Sequence, residues 1–187
     1  MSWNKLLPAL EQTSKPKPVP RARTEILLSI GVLAAIATVV ALSQIVQPSE
    51  TLYNAAQFVH LACVVAGLGS VLVVDWFGLR WQLGHTSLES VVATAGALSV
   101  PIWFGLTGLL LSGVFLEPDL TGPATQIKMG LVAVAGLVGV LAYGMQRRLS
   151  ATGHGRPRGL VRAGLLLALA SQISWWGATV IGFLNRA

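Results

Sequence analysis

A chain of 187 residues that is 53% hydrophobic and only 11% charged is not built like a soluble domain, in which about a quarter of the residues carry charge. With a mean hydropathy of +0.69 and its apolar residues gathered in long runs, the sequence reads as an all-α integral membrane protein. The net charge of +6 does not point to nucleic acid, because the basic residues lie between the apolar runs, where orientation signals belong.

Residues 1–24 read as a cytoplasmic tail. The stretch KPKPVPRAR from Lys15 to Arg23 interleaves prolines with cations, which forbids a helix and predicts an extended, solvated segment. Ahead of it, Trp3, Leu6, Leu7 and Leu10 fall at helical spacing and suit a short helix on a membrane surface, with Pro8 set against it.

Residues 25–187 read as a domain of five transmembrane helices, at about 25–47, 53–79, 88–116, 126–146 and 160–184. Each has the ~20 residues needed to cross a bilayer at about 1.5 Å per residue. The polar breaks are QPSE from Gln47, GHTS from Gly84, EPDLTGP from Glu117 and SATGHGRPR from Ser150. The first run has an alternative reading as a signal-peptide core cleaved at Ala41-Leu42-Ser43, against which stands its length, beyond the about 7–15 residues usual there. The pattern predicts no internal repeat and no soluble domain.

Cations set the orientation. Lys5, Lys15, Lys17, Arg21, Arg23, Arg80, Arg147, Arg148, Arg156, Arg158 and Arg162 all fall on one side of a five-span chain. Lys128, Arg186, Glu50, Glu117 and Asp119 fall on the other. The positive-inside rule then predicts a cytoplasmic N-terminus and an external C-terminus in a bacterial plasma membrane.

Polar residues inside the spans are the candidates for function. On the second span, Tyr53, Gln57, His60, Val64 and Gly67 share one face, expected to turn inward, beside small-residue stripes that include Cys63, Gly67 and Ser70. His60 lies near the outer surface and Asp75 near the inner one, ~22 Å apart along the axis, so they are separate sites. Pro101 should kink the third span and open space beside Trp103 and Thr107. Gln57, His60, Ser112, Lys128, Ser174 and Trp175 fall at similar depth in the outer leaflet, with Gln172 near the midplane.

Each has a plainer reading. His60 is then a hydrogen-bonding partner between helices, Gln172 interhelical glue, and Lys128 a cation reaching the headgroups. Asp75 with Trp76 and Arg80 reads as an interfacial ion pair beside an aromatic anchor. His85 and His154 fall in cytoplasmic loops. A single intramembrane histidine rules out bis-histidine ligation within one chain. A copper site on His60 would draw on Met129, the methionine at a plausible depth. The lone Cys63 supports neither a disulfide framework nor a thiolate cluster. Nothing in the sequence points to hydrolysis or ATP use.

The runs HLACVVAGLG from His60, GLTGLLL from Gly105 and KMGLVAVAGLVGVLAYGMQRRL from Lys128 to Leu149 resemble the bacterial copper-resistance D membrane proteins. They are also similar to the heme-dependent membrane protoporphyrinogen oxidases. The resemblance spans residues 57–149 and implies a histidine ligand at His60 and a functional lysine at Lys128. The cofactor it implies is heme b or copper.

The leading expectation is a small membrane protein with a heme- or metal-associated site near the outer leaflet, serving redox chemistry or metal handling. There His60 is the ligand, Met129 a second metal donor, Lys128 the partner of an anionic group such as a propionate, and Gln57, Gln172 and Trp175 the lining. Two alternatives stand beside it. One is an accessory or anchoring subunit, bound to the bilayer and to other membrane subunits through residues 1–24. The other is a proton-coupled small-molecule transporter with Asp75 and His60 at opposite mouths of a path.

Overall fold

The computed structural model describes residues 21–151 and 158–184, which form five α-helices, with no strand among the described residues. We label them α1 (Arg21–Ser43), α2 (Glu50–Gln82), α3 (Leu88–Gly113), α4 (Pro123–Ala151) and α5 (Arg158–Leu184). Every one is long and apolar enough to cross a membrane. The tail at 1–20, the loop at 152–157 with His154 and Arg156, and Arg186 lie outside the described residues.

Local chemistry sets the helix ends. Ser49 caps α2 by accepting from the Leu52 N–H, and Ser87 caps α3 by accepting from the Ser90 N–H at 3.1 Å. Glu50 and Glu89 sit in the first turns, where the helix dipole favours anions. Pro123 opens α4, at the position where a missing N–H is harmless. The turn between α2 and α3 passes through Gly84 at φ 77°, a conformation glycine adopts without strain.

Three boundaries differ by four or five residues from those expected. α1 starts at Arg21, because the last proline of the tail is Pro20 and the residues after it are free to coil. It ends at Ser43, ahead of Pro48, which disfavours helix in the residue before it. α4 continues to Ala151, past the apolar run, because Gln146, Arg147, Arg148 and Leu149 are all good helix formers.

Packing arranges the helices as two hairpins. α2 packs most extensively on α3, and α4 on α5; the hairpins then meet along α2–α5 and α3–α4. The diagonal pairs, α2–α4 and α3–α5, have no Cα atoms within 8 Å, so the four helices form a ring. α1 lies outside it, against α4 and α3. It is pinned where Arg148 donates to Glu25 at 2.7 Å, and where Val32 lies over Gly136.

The helices alternate in direction, so one end of the ring gathers the α2 and α4 C-termini with Arg80, Arg147 and Arg148. We call this the arginine end, and the opposite one the His60 end. Phe58, Val65, Val100, Phe104 and Phe183 are all more than two-thirds exposed. A surface this apolar suits hydrocarbon and would aggregate in water.

Candidate functional site

Two seams join the hairpins, and the same devices close both. At the α2–α5 seam the Trp175 indole lies on Gly67; at the α3–α4 seam the Trp103 indole lies on Gly139. Toward the arginine end, a glutamine then bridges each seam. Gln172 Nε2 donates to Asp75 Oδ2 at 2.5 Å, and Gln146 Nε2 donates to the Val92 carbonyl at 3.4 Å. A Cβ on Gly67 would overlap the Trp175 ring, so glycine is required there; a Cβ on Gly139 would lie in tight contact with the Trp103 ring at 3.3 Å.

The tryptophan–glycine contacts recur at one interval. Gly67 and Gly139 stand 72 residues apart, and so do Trp103 and Trp175. Around the tryptophans, SVPIWFGLT from Ser99 and SQISWWGAT from Ser171 share serine, tryptophan, glycine and threonine in the same places. Exchanging the hairpins carries one tryptophan–glycine contact onto the other, which defines a quasi-twofold axis running along the helices. The expectation of no internal repeat is therefore corrected. The signal was in the sequence, but four matches in leucine- and glycine-rich helices carry little weight until the contacts coincide.

Between the hairpins, toward the arginine end, lies a cavity of about 310 Å³. It sits on the axis, since Ser99 and Ser171, and Trp103 and Trp175, line it together. Tyr143 and Trp81 add further aromatic wall. Asp75 is the one charged side chain on that wall among the described residues. The expected ion pair of Asp75 with Arg80 is not what forms: Gln172 holds the carboxylate, and Arg80 lies over the Phe77 ring at 6.0 Å. The Pro101 helix does open space beside Trp103, but Thr107 faces outward and is exposed.

His60 belongs to a different place. Its Nδ1 meets the Ser112 hydroxyl of α3 at 2.9 Å, and that hydroxyl donates its single proton to the Gly108 carbonyl at 2.6 Å. With its proton on that carbonyl, the hydroxyl accepts from the ring, the arrangement that puts the His60 proton on Nδ1. Ser112 is buried and His60 half-buried.

Of the residues grouped by sequence with His60, Ser112 meets it, and the fold places others elsewhere. Gln172 joins Asp75, and Trp175 lines the cavity. Gln57 is half-buried on α2, while Lys128 and Met129 are half-buried on α4, the helix diagonal to α2. The Lys128 stem runs beside Gly182 of α5. Ser174 is buried and donates to the Ala170 carbonyl of its own helix at 2.7 Å. Several positions went unnoticed in the sequence: Glu25, opposite the arginine pair of α4, Ser99, the cavity-lining counterpart of Ser171, and Trp81, Gly139, Tyr143 and Gln146.

Comparison with known proteins gives no match to a family model, a curated protein or a solved structure. Among the described residues there is no group of three or more His, Cys, Asp or Glu side chains that could enclose a metal ion.

Proposed function

We propose that this is a multi-pass protein of the bacterial plasma membrane that binds a small molecule between its two hairpins and carries it across, coupled to protons. One observation carries this reading: the cavity with Asp75 on its wall lies on the axis between two parallel repeats. Carriers built from repeats hold their substrates at the repeat interface. At about 310 Å³ the cavity falls at the lower end of small-molecule pockets, about 300–1,000 Å³. An ionisable side chain within a membrane helix marks a substrate or proton pathway by default. With the N-terminus cytoplasmic and the C-terminus external, the cavity lies in the cytoplasmic half and His60 in the external half.

The test uses proteoliposomes loaded with a pH-sensitive dye and exposed to a panel of small organic solutes. The expected result is solute-driven proton movement that Asp75→Asn abolishes while the protein stays folded. A protein that moves nothing and co-purifies with other membrane subunits would instead be the accessory subunit.

A second reading keeps His60 as the ligand of a heme or metal ion. It draws on the Ser112 bond, because a ligating histidine ordinarily donates its other ring N–H to such a partner. In that reading Lys128 faces an anionic group and Met129 is the second donor to copper. Its test is the visible spectrum and metal content of the purified protein, with a Soret band that His60→Ala removes.

A further inference from the structure

We infer that the cavity's ligand is an organic monocation, an amine or ammonium compound with an apolar body; the inference rests on reading the cavity as a small-molecule site.

Charge comes first. Asp75 stands on a wall whose other polar groups, such as Ser99, Gln146 and Ser171, are neutral. No arginine lines the cavity among the described residues, and three at this end are engaged elsewhere: Arg80 over Phe77, Arg147 over Tyr143 at 5.8 Å, and Arg148 on Glu25. Among the described residues Asp75 forms no ion pair; its partner is the neutral amide of Gln172. A carboxylate in an apolar bundle is costly until a cation answers it. An anionic ligand would raise that cost, and a neutral one would leave it unchanged.

Wall chemistry agrees. Trp81, Trp103, Tyr143 and Trp175 line the same space, and aromatic faces attract cations, most when water is excluded. This combination of one carboxylate and several aromatic rings accommodates an ammonium head with an apolar body.

The repeat also sets the stoichiometry. The residue 72 positions after Asp75 is Arg147, so the axis does not duplicate the carboxylate. One ligand therefore binds, off the axis and against α2.

The experiment is calorimetry on the whole chain in nanodiscs, with empty nanodiscs as reference. Three probes of similar shape are compared: benzyltrimethylammonium, its neutral isostere neopentylbenzene, and benzenesulfonate. Binding is expected for the cation at one per chain, about tenfold or more tighter than for the isostere, with none for the sulfonate. Asp75→Asn, which keeps an acceptor for Gln172, should remove that preference. Ala142→Leu, which narrows the cavity from α4, the helix diagonal to that of Asp75, should weaken the cation and the isostere alike. An isostere that binds as tightly as the cation overturns the cation class and leaves the cavity reading standing. If no probe binds the wild-type protein, both fall. The wild-type comparison needs no variant, so a misfolded substitution cannot shelter the inference.

Discussion

Gly67 of α2 and Gly105 of α3 meet backbone to backbone: a Cβ placed on Gly105 would lie 2.7 Å from the Gly67 Cα and 2.8 Å from the Cys63 carbonyl oxygen. Backbone cannot swing aside as a side chain does, so the two helices must separate to admit a methyl group. Gly105→Ala is expected to destabilise by about 1–3 kcal/mol, outweighing the up to ~1 kcal/mol that alanine adds to a helix interior. Gly69→Ala, which meets nothing within 4 Å, should keep that gain. Thermal unfolding in detergent distinguishes them: one midpoint falls, the other holds or rises.

The paired seams should respond unequally to the same change. A Cβ on Gly139 would sit 3.3 Å from the Trp103 ring, a tight contact that a small shift relieves. On Gly67 it would overlap the Trp175 ring, itself one of the most buried side chains in the bundle. Gly67→Ala is expected to cost about 1–3 kcal/mol and Gly139→Ala less than about 1 kcal/mol. Melting temperatures of the two variants, measured side by side, check the order.

Ser112 fixes the tautomer of His60, so its removal should be visible on the ring. In the wild-type protein, ¹⁵N imidazole spectra at a pH where the ring is neutral are expected to report the Nδ1–H form. Ser112→Ala should release the ring into a mixture and cost about 1 kcal/mol for the lost bond. A pure Nε2–H spectrum in the wild type would refute the assignment.

Asp119, in the loop between α3 and α4, is held below the ordinary aspartate range chiefly by the Thr121 hydroxyl and then by the Thr121 N–H, at 2.6 and 2.9 Å. A carboxylate with a lowered folded-state value stabilises its turn above the ordinary range, and loses that contribution as pH falls through the lowered midpoint. Carboxyl ¹³C titration should place the Asp119 midpoint below that of an unstructured aspartate, and Thr121→Val should move it upward.

Fold class and the number of membrane-length apolar helices were legible because both are written into composition. A stretch of about 20 apolar residues can satisfy its backbone in a bilayer only as a helix, and 11% charge left few places to end one. The candidate site was legible only in pieces. His60, Asp75, Gln172 and Trp175 stood out as polar or bulky residues within spans, but depth alone grouped them, and depth does not say which way a helix faces. Gln172 and Trp175 were assigned to His60 by height, while their faces of α5 turn to Asp75 and Gly67.

The sequence by itself determined that this chain forms five apolar helices, where they break, and which few side chains had to find partners inside. Tertiary structure alone decided the partners. Helix rotation about its own axis is set by interlocking surfaces, here glycines beneath indoles, and that information is spread over residues far apart in the chain. The repeat that places Trp103 and Trp175 in matching seams became meaningful only when both rings were found lying on glycines 72 residues apart.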